Sequence, residues 1–140
     1  MAKDDALWKA FSIYIRMRDA DADGMVKCCT CQTVDRWTKM EAGHGIGRAK
    51  WGTRYDERNV AAQCPSCNRY HGGRKEQFAV YVDKRYGKGT WAELIQKSGI
   101  SKRPPLAVLD AMTKLYQQKV KDILQGHIDG KQGPVAREQA

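Results

Sequence analysis

The chain has 140 residues, 41% of them hydrophobic, and 25 lysines and arginines against 16 acidic residues give a net charge of +9. That length holds one domain with an appended helical segment, and no run of about 18 apolar residues occurs, which excludes a membrane-spanning helix. A surplus of positive charge of this size favours a polyanionic partner, with DNA or RNA foremost; a merely basic protein is the alternative.

The N-terminus, Met1 to Asp5, carries no apolar signal segment, so a reducing, cytoplasmic setting is expected. Leu7 to Arg18 is predicted as a helix: Leu7, Phe11, Tyr14 and Ile15 follow helical spacing, with Trp8 and Met17 beside them. Asp19 to Gly24 alternates Asp and Ala before a glycine and is predicted as a turn. It lacks the glutamate at the twelfth position that an EF-hand needs. Met25 to Met40 is predicted to form a cysteine knuckle followed by a β-hairpin, with Val34, Trp37 and Met40 inward. Gly43, Gly45, Gly47 and Gly52 then predict a loop with unusual backbone freedom, decorated by Arg48, Lys50 and Arg54.

Asn59 to Gln63 is short and apolar enough for a strand. A helix is expected from about Pro65, carrying Asn68 and His71 on one face and interrupted at Gly72-Gly73. Lys75 to Arg85 reads as a helix with Phe78, Tyr81 and Val82 apolar, stopped by Gly87 and Gly89. Thr90 with Glu93 forms a predicted capping box for a helix over Trp91 to Lys97, closed by Gly99. The longest helix is expected over Pro105 to Gln125, with a stripe of Leu106, Leu109, Met112, Leu115, Tyr116, Val120, Ile123 and Leu124. That stripe packs either on the domain or against a second copy in a homodimer. Gly126 to Ala140 is polar and is expected to be a flexible tail.

Two cysteine pairs are the strongest chemical signal. Cys28 and Cys31, then Cys64 and Cys67, each have the spacing that turns two thiolates into one tetrahedron, and together they complete a closed zinc site. Four thiolates and one Zn2+ would leave a net charge of about +7. A disulfide framework is the other reading, and the absence of a secretory signal weighs against it. Cys29 is a spare thiol, or replaces Cys28 as ligand if the knuckle shifts register.

His44 lies between the pairs. An imidazole titrates near neutrality, so His44 is a candidate general base; a zinc ligand or surface histidine is the alternative. Gly43 and Gly45 beside it are expected to let a phosphate approach closely. Asn68 follows Cys67 directly, and its amide oxygen can hold a hard cation such as Mg2+ or Mn2+, or it serves as a cap. His71 is a further candidate ligand. Asn59 can bond backbone groups and fix the His44 loop. Glu41, the nearest acid, adds a metal ligand, orients the imidazole or is simply exposed. Arg48, Lys50, Arg54 and Arg69 are candidate DNA contacts, since guanidinium forks suit phosphate. Trp37, Trp51 and Tyr55 can stack on bases or pack inside.

At His44, Asn59 and Asn68 the pattern resembles the HNH, or ββα-metal, endonucleases, and the four-cysteine site followed by asparagine is similar to the phage endonuclease VII group. A closer resemblance, over roughly residues 7 to 85, is to the lambdoid NinG/Rap recombination proteins. It rests on Phe11 to Asp19, Glu41-Ala42-Gly43-His44, Thr53 to Val60 and Cys64 to Tyr70. It implies an α+β fold with a zinc-stapled ββα-metal core over residues 1–87, to which the residue pattern adds a helical region over 88–125 and a tail over 126–140. It implies a metal-dependent, structure-selective endonuclease of bacteriophage origin cutting D-loops and Holliday junctions, with His44 as base, Asn59 holding the loop and Asn68 on the catalytic metal. Many HNH sites carry Asp directly before the base; here that residue is Gly43. The competing readings are a non-catalytic zinc-dependent DNA-binding accessory protein and a protein-interaction zinc ribbon.

Overall fold

The computed structural model describes residues 5–100 and 102–128. The fold is mixed α+β. Helix α1 (Asp5–Arg18) leads into a hairpin of β1 (Met25–Lys27) and β2 (Val34–Arg36), and then into β3 (Glu41–His44). After the short helix α2 (Trp51–Arg54) the chain returns as β4 (Val60–Gln63), antiparallel to β3 with His44 opposite Val60 and Glu41 opposite Gln63. A single π turn (Ser66–Tyr70) precedes α3 (Lys75–Tyr86), α4 (Thr90–Lys97) and α5 (Leu106–Ile128).

α1 forms because Leu7, Phe11 and Ile15 repeat every four residues and all three are buried. They pack with Ala42 and Val60 on one face of the β3–β4 ribbon and with Leu109 and Tyr116 of α5. At its C-terminus Arg18 is buried, donating to the carbonyls of Glu57 and Val60 and pairing with Asp19. Asp19 in turn receives Arg85 of α3. The paired charges satisfy each other, so this buried network fixes α1 against both β4 and α3. The ribbon's other face carries Ala61, which packs with Phe78, Val82 and Leu94 of α3 and α4.

Several details depart from the sequence expectations. The first cysteine knuckle is the tip of the β1–β2 hairpin, with Cys28 N–H donating to Thr33 O, so it does not precede the hairpin. Val34 is outward and 54% exposed, while Met40 is buried. The helix expected from Pro65 is only the five-residue π turn. Thr90 does not cap its helix by a capping box: its hydroxyl donates to Gly87 O, and the Trp91 amide is accepted by Asp83 from α3. In α5 the central stripe residues Leu109, Met112 and Tyr116 are used up by α1. Leu106 and Leu124 on one flank of the helix, and Val108 and Leu115 on the other, stay exposed among the described residues. α5 continues to Ile128; the rest of the tail expected from Gly126 lies outside the described residues.

The glycines near His44 act through close approach, and their φ values are not left-handed. A Cβ on Gly43 would lie 2.0 Å from Gln63 Oε1, and one on Gly45 would lie 2.7 Å from Phe78. Both positions are therefore closed to a side chain, Gly43 by the other strand and Gly45 by Phe78 of α3 and Trp91 of α4. Neither opens a path for phosphate, contrary to the sequence expectation. Gly47, with nothing within 4 Å, is the open one.

Among the described residues no helix is long and apolar enough to cross a membrane.

Candidate active site and metal centre

The second knuckle meets the first. The Sγ atoms of Cys28, Cys31, Cys64 and Cys67 all lie within 4.8 Å of one another, with Cys31 and Cys64 3.7 Å apart. A tetrahedron of 2.3 Å Zn–S bonds has sulfurs about 3.8 Å apart, so the cluster fits zinc. All five cysteines are free thiols. Burial works against the thiolates of Cys28 and Cys67, but hydrogen bonds from Thr30 and, at Cys67, from Arg74 Nε (3.1 Å) hold both below the ordinary thiol value. Cys31, with Thr33 Oγ1 at 3.2 Å, is lowered too. Cys29 turns away and packs with Ala61 and Phe78, where burial raises its pKa well above 9.0. It is a core residue, and Cys28 is the member of the cluster.

The cluster also fixes the backbone between Cys64 and Gly73. Cys67 N–H lies over Cys64 Sγ, Asn68 N–H donates to Cys64 O, and Gly73 N–H donates to Cys67 O. Gln63 Nε2 donates to Thr30 Oγ1 and Gly73 O, which links both knuckles to the loop before α3. Asn68 is thus delivered by the second knuckle to the wall of a cleft of about 560 Å3. The same cleft is lined by Trp8, Ser12 and Arg16 of α1, Glu41 and His44 of β3, Arg48 of the glycine loop and Lys75 of α3.

His44 ends β3 with its ring held on two sides. Nε2 lies 3.0 Å from the carbonyl oxygen of Arg54. A carbonyl only accepts, so Nε2 carries the proton and Nδ1 keeps the lone pair. The Trp8 indole stacks on the imidazole, centroids 5.1 Å apart and planes 21° apart, and the Arg48 guanidinium lies 5.2 Å from the same indole. Burial, reinforced by the positive charges of Arg48, Arg54 and Lys75, lowers the His44 pKa from 6.5 to about 4, against the Arg54 carbonyl, which raises it. The imidazole is neutral at neutral pH. Lys75 Nζ donates to His44 O (3.0 Å) and is itself lowered by burial.

Asn59 is fully buried. Its side chain accepts from Ile46 N–H (2.7 Å) and donates to the carbonyls of Ile46 and Thr53, tying both ends of the loop between β3 and α2. Asn68 Nδ2 donates to Glu41 Oε1 at 2.8 Å, which leaves its Oδ1 as the atom available to a ligand. Glu41 also pairs with Arg69. Partial burial disfavours its charge, but Arg69 and Asn68 outweigh that and hold it below the usual carboxylate range. Both Glu41 oxygens are thus engaged, Oε1 by Asn68 and Oε2 by Arg69, and Asn68 Oδ1 is the oxygen left that a hard divalent ion could take. Among the described residues no second group of three or more His, Cys, Asp or Glu side chains is assembled.

The remaining candidates spread out. His71 is exposed and does not line the cleft. Lys50 is exposed, and Arg54 lies against the Trp51 ring at 4.5 Å while donating to Arg48 O. Trp37 carries Arg16 at 5.3 Å. Sequence reasoning missed Trp8, Arg16 and Lys75. Their only local signals were apolar or basic positions on predicted helices; tertiary packing is what brings them to His44.

The fold and site define a small α+β protein with a four-cysteine metal-binding cluster in an antiparallel framework. The chain belongs to the NinG family: the family described as Bacteriophage Lambda NinG protein matches residues 3–125. Proteins named Protein ninG from Escherichia phage 933W and Salmonella phage P22 are each 31% identical over 116 residues, 82% of this chain and 55% and 54% of theirs. The Protein ninG of Escherichia phage lambda is 30% identical over the same length. The chain spans about half the length of these relatives. No solved structure matches it significantly.

Proposed function

We propose that this chain is a metal-dependent endonuclease of the ββα-metal type that cuts branched DNA, such as D-loops and Holliday junctions, in phage recombination. The observation that carries this reading is the neutral His44 in a cationic cleft, with Nε2 donating to Arg54 O and Nδ1 free to take a proton. The order of parts supports it: His44 closes one strand, Asn59 pins the loop before the next, and Asn68 comes directly after the knuckle, ahead of α3.

His44 Nδ1 takes a proton from the attacking water as the water oxygen bonds to phosphorus and the P–O3′ bond breaks. Glu41 turns the Asn68 amide so that Oδ1 is presented, and that oxygen would hold Mg2+ or Mn2+. The bound ion would stabilise charge on the phosphate and the departing 3′ oxygen. Arg16, Arg48 and Lys75 in the cleft, with the exposed Lys50 and Arg69, hold the phosphate backbone. Arg54 serves the site through its carbonyl and its contact with Trp51. Zinc in the four-cysteine cluster is structural.

The test is incubation of zinc-loaded protein with linear duplex, D-loop and four-way junction, with Mg2+, with Mn2+, or with no added divalent metal. Metal-dependent cutting of the branched substrates is expected. An absence of cutting under every condition would overturn the proposal.

A further inference from the structure

Two stretches of the chain carry no acid. Residues 42–55 and 94–109 hold six lysines and arginines between them and neither aspartate nor glutamate. The fold docks one stretch on the other. Gly52 N–H in α2 donates to Ile100 O (2.9 Å), just past α4, and a Cβ on Gly52 would strike Lys97 O, so the two backbones touch. Beyond Ile100 the connector to α5 carries the exposed Lys102 and Arg103. Trp51 receives a guanidinium from each stretch, Arg54 at 4.5 Å and Arg103 at 5.7 Å from its ring centre. Arg54 also donates to Arg48 O, and Arg48 lines the cleft. Contacts therefore run unbroken from the cleft through Arg48, Arg54 and Trp51 to Arg103. Lys97 is neutralised by Asp56, whereas Arg48, Lys50, Lys102 and Arg103 form no ion pair among the described residues.

We infer that this ridge is a second DNA-contact surface, on which Lys50, Lys102 and Arg103 hold the phosphate backbone of a duplex arm leaving the cleft. The inference rests on the nucleic-acid part of the function proposed above and not on cutting. A surface cation beside a carboxylate is neutralised in place. Here carboxylates are missing from both docked stretches, so the field points outward and concentrates anions. Two guanidiniums held at one indole repel each other, and an anion beside them relieves that repulsion. A small anion meets one or two of these cations, whereas a chain of phosphates meets the whole series from Arg48 to Arg103. Continuity with the cleft makes that chain the polymer whose phosphate the cleft takes. Contacts to phosphate place an arm without reading its sequence. The mount is firm, because the connector starts on α2 and the Trp51 ring holds Arg103.

The experiment measures binding of zinc-loaded protein to a four-way junction over a series of salt concentrations, without added Mg2+ or Mn2+. Wild type is compared with three double variants: Lys102→Ala with Arg103→Ala, Lys102→Glu with Arg103→Glu, and Lys88→Ala with Lys121→Ala. The last removes the same charge from exposed lysines away from the ridge, one before α4 and one far along α5. The alanine pair in the connector is expected to weaken binding on the order of tenfold at low salt and to lower the slope of log affinity against log salt by about two, at about 0.9 per lost phosphate contact. The glutamate pair is expected to weaken it further. The Lys88 and Lys121 pair is expected to stay within about twofold of wild type, with the slope kept. Zinc content and melting are expected to match wild type throughout, because all four side chains are exposed. Equal weakening by the two alanine pairs would reduce the effect to net charge and overturn the inference, as would unchanged binding by the connector pair. Either result leaves the nuclease reading standing. Wild type that binds the junction and never cuts it would overturn the nuclease reading and leave the ridge standing, and wild type that does not bind would overturn both.

Discussion

The Trp8 indole and the His44 imidazole lie stacked, 5.1 Å between centroids, with the imidazole Nε2 held by Arg54 O on its edge. A helix that precedes the first knuckle therefore supplies one wall of the imidazole's environment. Removing that wall admits water and relieves the desolvation that lowers the His44 pKa to about 4. Trp8→Leu is expected to raise the pKa by about one unit or more toward 6.5, read by NMR titration of the imidazole, while Trp8→Phe keeps most of the depression.

The same burial links stability to pH. The unfolded chain takes a proton on His44 as pH falls through 6.5, and the folded chain takes it only near 4. The stabilisation from keeping this site folded is whole above pH 6.5 and is lost progressively down to pH 4. The full loss is about 3 kcal/mol, from 1.36 kcal/mol per unit. Urea melts across that range should show the slope in wild type and a shallower one in His44→Gln.

Gly43 directly precedes His44, and Gln63 Oε1 fills the place of its Cβ. Gly43→Ala is expected to destabilise by about 1–3 kcal/mol through overpacking. In a Gln63→Ala background the cost of Gly43→Ala should fall, because Oε1 and Cδ are gone and only the Cβ at 3.1 Å remains, a coupling that a double-mutant cycle of denaturant melts measures. Gly47→Ala, in open space, should cost almost nothing.

The zinc centre separates the five cysteines. Cys31→Ser is expected to lose bound zinc by elemental analysis, and Cys29→Ser to keep one zinc per chain. Structural zinc contributes on the order of 10 kcal/mol, comparable to the stability of a small domain. Cys31→Ser should therefore lose cooperative melting.

The helices were legible in the sequence because each carries its own apolar repeat: α1, α3, α4 and α5 begin and end within about three residues of where periodicity and glycines place them. The cysteine pairs were legible because their spacing is a local constraint. The features that were not legible depend on contacts between distant segments. Gly43 and Gly45 are close-approach residues that Gln63, Phe78 and Trp91 explain. The Thr90 capping box fails because the helix starts one residue earlier, so that the Glu93 amide bonds Gly89 O while the Thr90 amide and hydroxyl both bond Gly87 O. Glu41 reaches Asn68 across 27 residues of chain, and Trp8, Arg16 and Lys75 enter the cleft only once α1 and α3 have packed on the ribbon.

His44 is proposed above as the base of a DNA-cutting site. Its most direct test is single-turnover cleavage of a four-way junction by zinc-loaded wild type and His44→Ala in Mg2+ or Mn2+, with binding to the same junction measured alongside. The expected result is a fall of at least about 100-fold in the cleavage rate, as for loss of a general base, with affinity within about twofold of wild type. Cleavage by His44→Ala at the wild-type rate would contradict it.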